Sequence, residues 1–141
     1  MADGDTKTFA LSLVTPEGAV YEGEAERVVV PGAAGELGVL ARHAPAVAML
    51  RAGEIRIKAG GDWQAFAAGP GYFSIQRDRA IVLVDDAVRA EDIDVAQARR
   101  EAEEARALLE RADAEGEDVD RWQVEQRLRH AENKIAVAGR G

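Results

Sequence analysis

The chain contains no cysteine. That excludes disulfides and thiolate metal centres. Only two histidines, His43 and His130, occur in 141 residues, so a histidine-built metal site is poorly supplied. No apolar run approaches the ~18 residues that a membrane span needs. Positive charge is in short supply: 18 Lys and Arg against 26 Asp and Glu leave a formal net charge of −8. A surface of that sign repels phosphate backbones and argues against nucleic acid as a partner. The first six residues, Met1 to Thr6, are acidic and polar, unlike a secretory or transit signal. Catalytic machinery is thin as well. Ser12 and Ser74 sit in strand-like runs with no nucleophile elbow. The glycine-rich run Pro31–Gly38 lacks the Lys and Ser/Thr of a phosphate loop. Asp85 and Asp86 are adjacent strand residues and point to opposite faces, so they read as a solvated strand end. The expectation is a non-enzyme with no catalytic residues and no metal site.

What is present divides near residue 90. From Thr8 to Val88 the apolar pattern has period two and the punctuation is dense. Phe9, Leu11 and Leu13 alternate with Ala10, Ser12 and Val14, as in a strand with one buried face. Thr15–Gly18 is a turn, with proline at the first central position. Strands follow over Ala19–Glu24 and Arg27–Val30, where three successive valines predict burial on both faces. Pro31–Pro45 holds three glycines and two prolines between apolar runs, and predicts a tight, shaped loop. Val47–Leu50 and Glu54–Lys58 flank Arg51–Gly53 as an expected hairpin. Ala59–Asp62 is a strong hairpin turn, because Gly60 and Gly61 adopt positive φ at no steric cost. Trp63–Ala67, Tyr72–Gln76 and Ala80–Val84 complete a set of about nine or ten short strands. That spacing predicts a β-sandwich.

From Glu91 onward there is no proline and the period becomes helical. Ala98, Ala102, Ala105, Leu109 and Ala112 form one heptad-like seam; Val124, Leu128, Ala131, Ile135 and Ala138 form another. Between them, Gly116 is a helix stop and Asp118 a cap for the next helix. The short connection predicts an antiparallel hairpin. An alanine seam buries little apolar area per turn, so this tail reads as an element able to detach. Residues 91–118 carry eleven acids and four arginines, whereas 119–141 carry five bases and three acids. The helices complement each other when folded together. A released second helix would instead present Arg121, Arg127, Arg129 and Lys134 to an acidic partner. The fold class expected is α+β: an all-β sandwich over 1–88 and a two-helix hairpin over 89–141.

Several segments occur in a telling order: Phe9–Glu17, Val20–Gly23, Gly35–Leu40, His43–Pro45, Leu50–Gly53, the Gly69–Phe73 bend, and Ile93–Asp94. In this order and spacing the chain resembles the epsilon subunit of bacterial F-type ATP synthases over nearly its whole length. The resemblance implies a sandwich plus helical hairpin in the rotor's central stalk. Its implied partners are the gamma subunit, the c-ring, and the alpha and beta subunits of the catalytic head. The implied location is peripheral, on the cytoplasmic side of the inner (plasma) membrane, held there through the complex. Glu36, Leu37, Gly38 and His43 match the segment that faces the ring and the gamma foot. The resemblance implies a hairpin that can lie folded against the sandwich or extend into the head, where it suppresses ATP hydrolysis through the basic second helix. Some members bind ATP as a regulatory ligand through a motif that begins here at Ile93 and Asp94. Gln97 stands where that motif has arginine, so a cation for the phosphates is missing. No other cofactor is implied. Read without the resemblance, the alternative is a free-standing sandwich adaptor whose helical tail oligomerises.

Overall fold

A computed structural model describes residues 7–115 and 120–140. Ten strands precede two helices: β1 Phe9–Thr15, β2 Gly18–Ala25, β3 Arg27–Gly32, β4 Gly35–Leu40, β5 Ala46–Leu50, β6 Gly53–Ala59, β7 Asp62–Ala68, β8 Gly71–Gln76, β9 Arg79–Val84 and β10 Ala87–Arg89. A 3₁₀ turn over Ala90–Asp92 leads to α1, Val95–Glu115, and then α2, Arg121–Arg140.

Strict alternation drives the sandwich. Phe9, Leu11 and Leu13 of β1 point inward, as do Ile55 and Ile57 of β6, Phe73 and Ile75 of β8, and Val82 and Val84 of β9. The strand order is β10-β7-β6-β3-β5-β8-β9-β1-β2, with β4 paired to β3 alone. β3 is the corner of this arrangement. Its Arg27–Val29 stretch pairs with β6, while Gly32 at its end meets Leu50 of β5. Val28, Val29 and Val30 are all buried, as the three-valine run predicts.

Two expectations fail at this corner. Pro31–Pro45 is not one loop: Gly35–Leu40 is a strand that pairs antiparallel with β3 along its length. The glycines permit it. A Cβ on Gly32 would lie 2.7 Å from the Gly35 carbonyl oxygen, and Gly35 has φ +138°. Pro31 lacks an N–H but still accepts, through its carbonyl, from the Arg51 amide at 2.9 Å. Nor do β5 and β6 form a hairpin. β5 pairs with β8, and β6 pairs with β7, because the chain turns the corner at Arg51–Ala52. Gly53 is required there, since a Cβ would meet Pro31 Cβ at 2.8 Å.

Other turns follow their residues. Gly60 and Gly61 have φ of 60° and 84° in the tight β6–β7 hairpin. Arg77 and Asp78 adopt φ of 52° and 56° between β8 and β9 without glycine. Asp78 repays that strain by accepting from the Arg42 amide at 2.6 Å through its carboxylate, and from the Ala10 amide at 2.9 Å through its carbonyl.

The hairpin seams appear as expected. Ala98, Ala102, Ala105 and Ala112 of α1 are buried, with Val124 and Ala131 of α2. Leu109, Leu128, Ile135 and Ala138 are half-buried. Gly116 and Asp118 lie outside the described residues. The cap of α2 is Asp120, whose Oδ1 accepts from the Gln123 amide at 3.1 Å. Arg106 of α1 pairs with Glu132 of α2 at 3.0 Å, and Asp113 pairs with Arg121. The hairpin is folded down, with α2 lying on β6 and β7.

Candidate interaction surfaces

The β4 segment separates residues that the sequence groups together. Glu36, Leu37 and Gly38 are on β4, beside the turn at Ala33–Ala34. His43 lies in the loop beyond the other end of that strand. At about 3.3 Å per residue, Glu36 is already about 13 Å from Leu40. Glu36 is exposed and 3.8 Å from Arg56 of β6. Leu37 packs against the sandwich core. Gly38 leaves room beside the Arg27 guanidinium, which a Cβ would meet at 3.7 Å. His43 is half-buried and donates from Nδ1 to the Ala44 carbonyl at 2.6 Å. The loop around it is tied to the β8–β9 turn by the Arg42–Asp78 bond.

The basic residues of α2 divide by partner. Arg121 is engaged with Asp113 and lies 4.0 Å from Glu125. Arg127 and Arg129 are exposed, and among the described residues neither they nor Lys134 make a salt bridge within 4.0 Å. Trp122 is exposed on the first turn of the same helix. The conformation thus pairs one exposed arginine with acidic partners and leaves two presented to solvent.

Asp94 is the N-cap of α1. Its Oδ1 accepts from the Gln97 amide at 3.0 Å, and its carbonyl accepts from the Ala98 amide at 3.0 Å. Ile93 is half-buried, with its amide on the Ala90 carbonyl at 3.3 Å. Gln97, Arg99 and Arg100 are exposed. Among the described residues no cluster of three metal-ligating side chains occurs, and no helix is long and apolar enough to cross a membrane.

Among the described residues, an apolar sheet face lies open to solvent. Met49 of β5 sits opposite Tyr72 of β8, which sits opposite Leu83 of β9, which sits opposite Val14 of β1. Two residues along, Val47, Ser74 and Ile81 form a second row. Val47 is 76% exposed, Met49 62%, Tyr72 55% and Leu83 46%. Large side chains held in water on a rigid sheet mark a protein contact. Of the four aromatics in the later strands, Phe66 and Phe73 are core, while Trp63 and Tyr72 are exposed. The signal for the rest of the face lay in the unbroken runs Ala46–Leu50 and Ala80–Val84. An alternating strand needs cover on one face only; an apolar run asks for cover on both.

Tyr21 on the edge strand β2 donates from its hydroxyl to the Glu24 carbonyl at 2.7 Å. Partial burial, with the Glu24 carboxylate adding to it, holds the phenol above its ordinary pKa.

Residues 8–90 match the family model described as "ATP synthase, Delta/Epsilon chain, beta-sandwich domain". The chain is 39% identical over 132 residues to the ATP synthase epsilon chain of Desulforamulus reducens, spanning 94% of this chain and 98% of that one. It is 40% identical over 133 residues to the ATP synthase epsilon chain of Halalkalibacterium halodurans, again over 94% and 98% of the two chains. Among solved structures, a chain of the Euglena gracilis mitochondrial ATP synthase superposes with a TM-score of 0.76 at 23% identity, over 92% of this chain and 80% of that one.

Proposed function

The chain belongs to the ATP synthase epsilon chain family, and on that premise we propose that it works in the central stalk of an F-type ATP synthase. There it couples ion-driven rotation of the c-ring to ATP synthesis in the catalytic head. The observation that carries this reading is the exposed apolar face across β5, β8, β9 and β1. We assign that face to the gamma subunit, whose docking removes Met49, Tyr72 and Leu83 from water. The β4 strand and its following loop, with Glu36, Leu37, Gly38 and His43, contact the c-ring loops or the gamma foot. The subunit is non-catalytic, and it reaches the cytoplasmic side of the membrane through the complex.

The hairpin is the regulatory part. Folded down, it leaves the head free. Extended, it carries Arg121, Arg127, Arg129 and Lys134 to acidic loops of the alpha and beta subunits and suppresses ATP hydrolysis. In Ile93–Ala98, Asp94 caps the helix and Gln97 supplies no cation, which favours a structural role over ATP binding. The adaptor alternative loses its basis, because the two helical seams face each other within one chain.

The test is ATP hydrolysis by a head reconstituted with gamma, comparing the full chain with a form ending at Asp92. Suppression by the full chain, relieved by truncation, is the expected outcome. Met49→Glu combined with Leu83→Glu abolishes binding to gamma in the same assay while leaving the isolated chain folded. Retained gamma binding by that double variant would refute the face assignment.

A further inference from the structure

The side of α2 that meets the sandwich differs in kind from the side that meets α1. Gln126, His130, Asn133 and Val137 recur at steps of four and three, so they share one stripe. Three of these four are polar. His130 Nε2 is 2.7 Å from Asp86 Oδ2, in the link between β9 and β10. A carboxylate oxygen accepts, so Nε2 carries the proton that it shares. Asn133 Nδ2 donates to the Gly53 carbonyl at 2.9 Å and reaches the Ala68 carbonyl at 3.4 Å. Those carbonyls belong to paired positions of β6 and β7. On the sheet face under the helix, Ala67 of β7 lies opposite Glu54 of β6. Ala67 points away from the sandwich core and is fully buried all the same.

We propose that His130 with Asp86, and Asn133 with the Gly53 and Ala68 carbonyls, form a polar latch that holds α2 on β6 and β7 and opens as a unit to release the hairpin. A dock made this way detaches easily, because every polar group in it is satisfied by water once it opens. An apolar dock of the same size loses its burial on opening and has no such substitute. The closed latch is also incompletely satisfied. His130 Nδ1 is buried with no hydrogen-bond partner among the described residues, which offsets part of the gain from the Asp86 bond. The unpaired nitrogen lowers the cost of opening, because water reaches it once α2 lifts. This inference rests on the proposed release of the hairpin, but its test reads undocking directly.

The absence of native cysteine makes that test clean. Val137 is fully buried, one turn beyond Asn133 on the same stripe. In the full chain carrying Val137→Cys, the rate of thiol modification reports opening of α2. Asp86→Ala, His130→Ala and Asn133→Ala are each expected to raise that rate about tenfold, the worth of a hydrogen bond to a charged or doubly used group. Two of these changes place the best helix former in α2, so faster labelling does not come from a weakened helix. His130→Gln, which keeps a donor near the Nε2 position, labels more slowly than His130→Ala. Asp86→Ala and His130→Ala together label no faster than either alone. Unchanged rates in all three single variants would overturn the latch, and so would effects of Asp86 and His130 that multiply independently. If the variants label fast yet leave hydrolysis by the reconstituted head unchanged, the latch stands and the inhibitory role of the hairpin falls.

Discussion

The sandwich and the hairpin both bury apolar residues, but of very different size. The sandwich encloses Phe9, Phe66 and Phe73 with a shell of Leu, Ile and Val. The α1 seam buries alanines, and its single leucine, Leu109, is only half-covered. At roughly 25 cal/mol per Å² a phenylalanine contributes several times what an alanine methyl does. The sandwich is therefore stable on its own apolar core. The hairpin depends on close helix approach, on the Arg106–Glu132 and Asp113–Arg121 pairs, and on its seat against β6 and β7. The proposed role in rotary coupling asks for both kinds of construction: one part that transmits torque without deforming, and one that changes position at low energetic cost.

The sharpest way to break this contrast is to cut into the larger core. Phe73→Ala is expected to destabilise the chain by about 3–5 kcal/mol in urea unfolding, with loss of sheet and helix signals together. A smaller loss would mean that the sandwich relaxes around the cavity and is less rigid than its packing implies. Gly71→Ala comes next, at about 1–3 kcal/mol, because the new methyl would lie 1.8 Å from the Leu83 carbonyl oxygen. Thermal unfolding measures it, and a neutral result would show that the β7–β8 corner can shift. Asp94→Ala removes the α1 cap at a cost of about 1 kcal/mol. Amide exchange is expected to rise in the first turn of α1 and to stay unchanged in the sandwich, which sharpens the independence of the two parts. If protection also falls in β10, the two are coupled through the 3₁₀ turn.

The smallest effect belongs to Tyr21→Phe. The phenol is held above its ordinary pKa, so its contribution is full below the unfolded pKa and is lost as pH rises through the folded one. The substitution is expected to cost about 1 kcal/mol or less at neutral pH and to flatten the alkaline decline in stability. An unchanged alkaline profile would place the source of that decline elsewhere.

Legibility followed the range of the interaction. The alternation of β1, β6 and β9, the Gly60–Gly61 turn and both helical seams are patterns within a few residues, and each was readable. The strand β4 was hidden by its own composition. Glycines and prolines that ordinarily signal a loop here serve a strand pressed against a tight corner, where Gly32 and Gly35 let two backbones approach. The short β10 carries too few residues for a period to register. Glu36 and His43, neighbours in a loop by sequence, lie toward opposite ends of β4 once it is extended.

Local periodicity and turn chemistry were enough to specify a sandwich followed by a two-helix tail, because both are set by backbone geometry acting over a turn or a strand. Strand order, the corner at β3, the breadth of the apolar face and the meeting of His130 with Asp86 were decided only in the folded chain. Each depends on residues far apart in sequence, and no local pattern encodes which distant partner a strand edge or a polar side chain will find.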